Sequence, residues 1–260
     1  MNAVLDNYDA LAIDLDGVVW RSGQVLEGVR EAIDTLRQAD KRLLFLTNNA
    51  SHIPARVMTL LAKDGIHIRD SREVLSSAQV AVRWLDERDL IGGPAFILGT
   101  DAVADQFRGL FDIVAVTKGN SAGAVLVGRD LAFDFERLTV ASDSIRAGAT
   151  FIAFNRDVTM PVDGGVEPGT GSILAALEAA SGKQAVVVGK PEAPMMQRAQ
   201  QKLEGHKVLM VGDRVESDIL GAERNGWDSA LVLTGVAART DEFDPKPTYI
   251  YESLLDLVKG

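Results

Sequence analysis

The sequence predicts an α/β protein built on a largely parallel sheet, and three observations lead to that prediction. Residues 10–13 and 41–46 are short apolar runs of the kind that form buried strands. Between them Val29, Ile33 and Leu36 recur at helical spacing. The same alternation continues along the chain, and strands that alternate with helices are typical of parallel α/β sheets.

Later segments extend this first strand–helix–strand unit. Composition alone marks no domain boundary among them. The sequence predicts further helices over residues 54–63, 135–147, 172–177 and 217–224, and further strands over residues 95–98, 123–127, 150–154, 185–188, 208–211 and 229–233.

Composition limits the possible functions. The chain has 260 residues, 47% hydrophobic content and a formal charge of -10, so it can bury a large core but would repel nucleic acid and anionic membranes. It has no apolar run of about eighteen residues, no basic secretory start and no cysteine. We therefore expect a cytoplasmic protein with neither a nucleic-acid nor a membrane partner. A phosphate ester is an anion as well, so an acidic protein that binds one needs a local cation to offset the repulsion.

Two carboxylates, Asp14 and Asp16, follow the first predicted strand in the segment Asp-Leu-Asp-Gly. Ligands of open α/β sheets bind at the carboxyl ends of the strands, so both acids stand where a ligand is expected. Asp14 can then attack phosphorus as a nucleophile, while Asp16 protonates the leaving oxygen and activates water. The same composition is also common in simple turns, and the motif alone does not decide between the two interpretations.

Polar groups follow the next predicted strand at Thr47, Asn48 and Asn49. A hydroxyl, side-chain amides and backbone N–H groups there can hold phosphoryl oxygens. A helix cap or an Asx-turn is the ordinary interpretation of such a tetrapeptide, so its position in the sheet carries the prediction.

Two later strand ends bear a cation and a group of acids. Lys190, placed by Pro191 after the strand at 185–188, can neutralise the repulsion between a carboxylate and an incoming phosphate. Asp213 and Asp218 follow the strand at 208–211, and their oxygens can hold Mg²⁺ together with Asp14. A solvated lysine and a helix cap are the alternatives.

Competing phosphate-binding patterns do not fit the sequence. The glycine-rich run 164–172 lacks the lysine of a P-loop, and no dinucleotide-binding glycine pattern follows the first strand. The histidines His52, His67 and His206 are widely spaced, and we expect surface or packing roles for them. Four strand ends that each carry a phosphate- or metal-competent group are much harder to explain by chance than one.

These four segments, in this order from Asp14 to Asp218, resemble the four motifs of the haloacid dehalogenase superfamily. Residues 47–51, 146–152, 167–172 and 231–236 resemble its NagD-like branch, which includes 4-nitrophenyl, glycerol phosphate and pyridoxal phosphate phosphatases. The resemblance implies a Rossmann-like core formed by residues 1–78 and 183–260. It also implies an inserted α/β cap of the C2 type over residues 79–182.

The resemblance also implies a role for each matching residue. Asp14 is similar to the nucleophile that becomes an aspartyl phosphate, and Asp16 to the general acid and base whose backbone carbonyl binds Mg²⁺. Asp213 is similar to the other carboxylate ligand of the metal, with Asp218 in support. The phosphate-binding groups correspond to Thr47, Asn48 and Lys190.

Substrate-reading residues of such relatives match positions in the predicted cap. Asn49, Arg129, Asn155 and Met160 are the candidates here. Some relatives have an aromatic residue in place of Arg129 and a histidine in place of Met160, which disfavours pyridoxal phosphate as the substrate. We hypothesise that the Arg129 cation pairs with a second anionic group of the substrate. A surface arginine is the alternative.

The predicted function is therefore Mg²⁺-dependent hydrolysis of a small phosphorylated metabolite such as a sugar, glycerol or nucleotide phosphate. A homodimer is a further expectation. The alternatives are a phosphoacceptor module of a signalling pathway, ordinarily about half this length, and a small-molecule-binding protein without turnover. Asp16 favours the enzyme, because a phosphoacceptor needs no second carboxylate there.

Overall fold

The computed structural model of the chain describes residues 1–162, 165–237 and 242–260. At residues 161 and 162 it describes the backbone and not the side chains. Gly164 of the glycine-rich run is likewise outside it. The strands are β1 (Ala10–Asp14), β2 (Trp20–Arg21), β3 (Gln24–Val25), β4 (Arg42–Thr47), β5 (Val74–Ser76), β6 (Pro94–Leu98), β7 (Asp112–Ile113), β8 (Ala124–Val127), β9 (Thr150–Ala153), β10 (Thr159–Val162), β11 (Gly165–Pro168), β12 (Val186–Val187), β13 (Val208–Gly212), β14 (Asp228–Val232) and β15 (Tyr249–Tyr251). The helices are α1 (Val29–Gln38), α2 (Pro54–Lys63), α3 (Ser77–Asp86), α4 (Asp101–Phe107), α5 (Phe135–Arg146), α6 (Thr170–Ser181), α7 (Ala193–Lys202), α8 (Leu220–Arg224) and α9 (Leu254–Lys259).

The described residues form two units, each with its own sheet. The first unit comprises Met1–Thr47, His52–Ser76 and Lys190–Gly260, and the second comprises Asn48–Ser51 and Ser77–Gly189. The family resemblance implied boundaries after residues 78 and 182. It did not suggest that the short segment Asn48–Ser51 groups with the second unit.

The sheet of the first unit has the strand order β15-β14-β13-β1-β4-β5, and every neighbouring pair is parallel. Strand β1 is buried at all five positions, as expected for a strand covered on both faces. Leu11 and Ile13 of β1 pack with Ile33 and Leu36 of α1 in one apolar cluster, which places this helix against the sheet. The α/β prediction is therefore confirmed.

The second unit has a separate parallel sheet with the order β12-β9-β8-β6-β7. Helices α5 and α6 contribute Ile145 and Leu174 to its own apolar cluster. Helix α5 begins after Asp134, whose carboxylate accepts the backbone N–H of Arg137 at 2.8 Å, a normal N-cap. A small antiparallel pair, β10 and β11, precedes α6.

Several short elements were not predicted from the sequence. Strands β2 and β3 form a hairpin of two residues on each side, too short to show an alternating pattern. The predicted helix over 217–224 begins instead as a π-helical turn, Val215–Ile219, which leads into α8. The predicted strand over 185–188 is reduced to β12.

Within the described ranges no helix combines the length and apolar character needed to cross a membrane.

Candidate active site

Three neighbouring strands of the first unit end in polar residues at one edge of the sheet. Strand β1 ends at Asp14, β4 ends at Thr47, and β13 is followed at once by Asp213. The order β13-β1-β4 is parallel, so these carboxyl ends lie side by side. Residues far apart in the chain therefore meet because of the strand order.

Lys190 supplies the cation at this edge. Its Nζ donates to Asp14 Oδ1 at 2.7 Å and to Asp218 Oδ1 at 2.6 Å, and its side chain is only 1% exposed. Burial by itself lowers the pKa of Lys190, but attraction to Asp14 and Asp218 outweighs burial and raises the pKa above its usual value. The ammonium is therefore charged and oriented by two carboxylates.

The carboxylates outnumber this one ammonium. Oxygens of Asp14, Asp213 and Asp218 lie within 4.8 Å of one another, and all three residues are buried. Burial raises the pKa of Asp14 well above its usual value, Lys190 opposes that shift, and the neighbouring carboxylates add to it. Burial, followed by repulsion from Asp218, raises the pKa of Asp213 to about 6. The cluster therefore has an excess of negative charge that a divalent cation would compensate.

The donor set fits Mg²⁺, which takes hard oxygen ligands from one or two carboxylates and keeps several waters. Asp218 has both oxygens engaged, since Oδ1 accepts from Lys190 at 2.6 Å and Oδ2 accepts the backbone N–H of Arg214 at 3.1 Å. This arrangement suits a supporting role for Asp218 and leaves Asp14 and Asp213 as the carboxylates that could hold the ion.

The loop after β14 holds Asp213 in place. The backbone N–H of Val236 donates to Asp213 Oδ2 at 2.8 Å. A Cβ added to Gly235 would lie 1.8 Å from the same oxygen, so only glycine permits this approach. Thr234 Oγ1 donates to the carbonyl of Gly17 at 2.6 Å, which ties the same loop to the segment after β1. No role was predicted for Thr234, Gly235 or Val236 from the sequence, although their position just after a predicted strand is where site residues are expected.

Asp16 lies beside this cluster with its carboxylate contacted from several directions. Thr47 Oγ1 is 3.4 Å from Asp16 Oδ2, and the indole Nε1 of Trp20 donates to Asp16 Oδ1 at 2.9 Å. His52 Nδ1 is 3.7 Å from Asp16 Oδ2, and the His52 ring meets Trp20 edge-on. Burial lowers the pKa of His52, while Asp16 opposes that shift. His52 packs as expected, but its contact with a site residue was not predicted.

Comparison with known proteins identifies the family. A haloacid dehalogenase-like hydrolase model matches residues 11–110, and a HAD-hydrolase-like model matches residues 187–257. The chain is 36% identical to chronophin of Rattus norvegicus over 99% of its own length and 89% of the relative. The chain belongs to the haloacid dehalogenase-like hydrolases.

Solved structures of this hydrolase family agree with the fold. The p-nitrophenyl phosphatase from Archaeoglobus fulgidus matches with a TM-score of 0.86 and 28% identity over 97% of this chain and 99% of that one. The glycerol phosphate phosphatase from Mycobacterium tuberculosis, solved in complex with magnesium, matches with a TM-score of 0.83 and 35% identity over 99% of this chain and 78% of that one. The predicted NagD-like branch is therefore confirmed.

The remaining candidates of this haloacid dehalogenase-like hydrolase belong to the second unit. The backbone carbonyl of Asn48 accepts from Ser77 Oγ and from Asn155 Nδ2, both at 2.8 Å. Asn48 Nδ2 donates to Asp157 Oδ2 at 3.4 Å. Asn49 Oδ1 accepts the backbone N–H of Ser51 at 3.1 Å, which is the Asx-turn considered as its ordinary interpretation.

Arg129 and Met160 lie elsewhere in the second unit. The Arg129 guanidinium forms an ion pair with Glu167, and its Nε donates to the carbonyl of Pro168 at 3.3 Å. Met160 is half-buried in β10. The structure thus brings together the candidates of the first unit, while those of the second unit contact residues of their own unit.

Proposed function

We propose that this protein hydrolyses small phosphomonoesters, such as sugar, glycerol or nucleotide phosphates, through an aspartyl phosphate on Asp14. The enzyme class, a magnesium-dependent phosphoric monoester hydrolase, follows from the family and from relatives that are themselves phosphatases. These relatives do not support a signalling phosphoacceptor or a binding protein without turnover. The observation that carries the mechanism is the buried contact of Lys190 with Asp14 beside the further acids Asp213 and Asp218.

Mg²⁺ would be held by side-chain oxygens of Asp14 and Asp213 and by the backbone carbonyl of Asp16, with Asp218 in support. When bound, the ion supplies positive charge that compensates the phosphoryl oxygens and the surrounding carboxylates. Lys190 adds a second cation, whose position is set by its two short hydrogen bonds.

In the first step a carboxylate oxygen of Asp14 forms a bond to phosphorus as the bond from phosphorus to the leaving oxygen breaks. Asp16 donates its proton to that oxygen, so the product leaves as a neutral alcohol. Lys190 keeps Asp14 oriented for attack and balances charge on the transferred group. Thr47, together with Asn48, is proposed to bind the phosphoryl oxygens.

In the second step Asp16, now a carboxylate, takes a proton from water as the water oxygen bonds to phosphorus. The bond between phosphorus and Asp14 breaks, inorganic phosphate leaves, and Asp14 is again a carboxylate. One side chain thus serves as acid and then as base, so its carboxylate must be reachable by the leaving oxygen and later by water. The Asp16 side chain is 43% exposed, which supports this dual role.

The second unit is proposed to be the inserted cap, which selects the substrate through Asn49, Arg129, Asn155 and Met160. Arg129 has its charge balanced by Glu167, so an anionic substrate group would compete with that carboxylate. Asn155 is buried and holds the backbone at Asn48, so its effect on a substrate would be transmitted through that segment.

Two further predictions belong to this proposal. The absence of cysteine supports a cytoplasmic location. The exposed apolar side chains of Leu131 and Phe135 in the second unit support a homodimer. Cell fractionation and light scattering in solution measure these two properties.

Asp14→Asn tests the central assignment. We expect wild-type protein with Mg²⁺ to turn over 4-nitrophenyl phosphate and the variant to show no turnover, with an unchanged circular dichroism spectrum. A brief incubation followed by acid quenching and mass spectrometry should find phosphate on the peptide that contains Asp14 in the wild type. Turnover near the wild-type rate in Asp14→Asn would contradict the nucleophile assignment.

A further inference from the structure

The indole of Trp20 contacts the carboxylate that the proposed mechanism uses as acid and base. Trp20 is 1% exposed, and its Nε1 donates to Asp16 Oδ1 at 2.9 Å. The Asp16 side chain is 43% exposed, so burial alone does not hold its orientation. A carboxylate that must present one oxygen to the leaving group needs a partner that restricts its rotation.

The local backbone places this indole. The N–H of Gly17 donates to the carbonyl of Trp20 at 2.7 Å, and the N–H of Trp20 donates to the carbonyl of Leu15 at 3.1 Å. These bonds connect the start of the β2–β3 hairpin directly to the loop that carries Asp16. The His52 ring packs edge-on against the indole, with 5.2 Å between ring centroids, and limits its movement.

The chemistry of the indole suits this position. Its N–H is a donor only and does not titrate, so it offers the same hydrogen bond in both steps of the reaction. Oδ1 accepts this shorter bond, whereas the contacts of Oδ2 with Thr47 Oγ1 and His52 Nδ1 are longer, at 3.4 and 3.7 Å, so Oδ2 is the oxygen better placed to exchange a proton. Thr47 Oγ1 lies 3.4 Å from Oδ2, on the side where phosphate-binding groups are expected.

We propose that Trp20 is a positioning residue that holds Asp16 by Oδ1 and assigns proton transfer to Oδ2. In the first step the proton on Oδ2 passes to the leaving oxygen, which keeps the electron pair of the broken bond to phosphorus. In the second step Oδ2 receives a proton from the attacking water. This inference rests on the proposed function, because it requires Asp16 to be the acid and base.

The dependence on the leaving group separates this role from simple packing. An alkyl phosphate releases a strongly basic alkoxide and needs the proton, whereas 4-nitrophenolate is a stable anion and needs it much less. A variant that misorients Asp16 therefore loses activity on alkyl esters selectively. A variant that only loosens the core loses activity on both kinds of ester.

The experiment measures single-turnover rate constants with excess enzyme and Mg²⁺ for glycerol phosphate and 4-nitrophenyl phosphate. Trp20→Phe removes the N–H, and incorporation of benzothienylalanine at the same position replaces N–H by sulfur with little change of shape. We expect each to slow glycerol phosphate by about tenfold or more and 4-nitrophenyl phosphate by less than about threefold. The matched control is Trp227→Phe, which removes an indole hydrogen bond to Gln200 Oε1 of 2.7 Å and should slow both esters equally or neither.

Equal losses on the two esters, or no loss on glycerol phosphate, in the benzothienylalanine variant would overturn the inference even if Trp20→Phe fails to fold. Asp16→Asn separates this failure from failure of the proposed function. If Asp16→Asn shows a selective loss on glycerol phosphate but the Trp20 variants do not, only the inference fails. If Asp16→Asn shows no selective loss, the acid and base assignment itself is wrong.

Discussion

The candidate residues of the two units have different kinds of partner. In the first unit, Lys190 pairs with Asp14, which also clusters with Asp213, and the three come from distant stretches of chain. In the second unit, Arg129 pairs with Glu167, and Asn155 donates to the backbone carbonyl of Asn48. The positions of the two sets are alike, because Asp14 ends one strand and Asp213 follows its parallel neighbour, and Arg129 and Asn155 follow β8 and β9, which are also neighbouring and parallel. The difference lies in their partners. Asp14 shares the buried ammonium of Lys190 with a second carboxylate, whereas Arg129 pairs with one exposed carboxylate and Asn155 donates to one backbone carbonyl.

The largest expected effect comes from breaking the ion cluster of the first unit. Lys190→Met leaves Asp14 and Asp218 buried without their cation, so we expect kcat/KM to fall by about a thousandfold and stability by about 3–5 kcal/mol. Steady-state kinetics and urea unfolding measure the two losses. The control is Lys202→Met, whose Nζ donates at 3.0 Å to a backbone carbonyl, that of Arg72. Activity within about tenfold of wild type in Lys190→Met would contradict the role of this ammonium.

The next effect tests the loop that holds Asp213. Gly235→Ala places a methyl group 1.8 Å from Asp213 Oδ2, so the carboxylate must move. We expect the Mg²⁺ concentration for half-maximal activity to rise by about tenfold or more, as is common when the support of a metal ligand is disturbed. Gly123→Ala is the control, because its methyl group would meet only one carbonyl at 3.8 Å. An unchanged dependence of activity on Mg²⁺ concentration would show that this loop does not support the metal site.

A pH effect of intermediate size follows from the raised pKa of Asp213. Its pKa rises from 3.8 to about 6, so the folded protein without metal binds this proton more tightly than the unfolded chain. Stability without metal should therefore fall as pH rises from about 4 to about 6, by up to about 3 kcal/mol, and then level off. Asp14 is shifted in the same direction.

Metal reverses this trend, because Mg²⁺ binds the ionised carboxylates. The increase in Tm on adding Mg²⁺ to EDTA-treated protein should grow through the same pH window. Asp213→Asn should flatten both profiles. A Tm without metal that rises from about pH 4 to pH 6 in the wild type, and not in the variant, would contradict the assignment.

The smallest effect concerns Arg129 of the second unit. If its cation reads a second anionic group, Arg129→Ala should reduce kcat/KM for a bisphosphorylated or carboxylated ester by about tenfold and for 4-nitrophenyl phosphate by less than about twofold. Arg146→Ala, which removes a surface ion pair to Asp143, is the control. Equal losses on both substrates would show that Arg129 serves mainly to hold Glu167 and Pro168.

Much of the first unit could be predicted from the sequence because its signals are local. The apolar run before Asp14 is long enough to identify a strand, and the acids, Thr47 and Lys190 each follow such a run. The two-residue strands of the β2–β3 hairpin give no periodic signal, and so the contact of Trp20 with Asp16 could not be foreseen. Gly235 was visible only as part of a turn composition, because its importance lies in a contact with a residue 22 positions earlier.

The sequence by itself determined the alternation of strands and helices, the chemistry available at the strand ends and the order of the motifs along the chain. Tertiary structure alone decided which oxygen of each carboxylate is engaged, that Lys190 lies between Asp14 and Asp218, and that an indole contacts Asp16. The physical reason is range. Apolar periodicity is set by neighbouring residues, whereas hydrogen bonds within a site join side chains whose separation is set by the packing of the whole sheet.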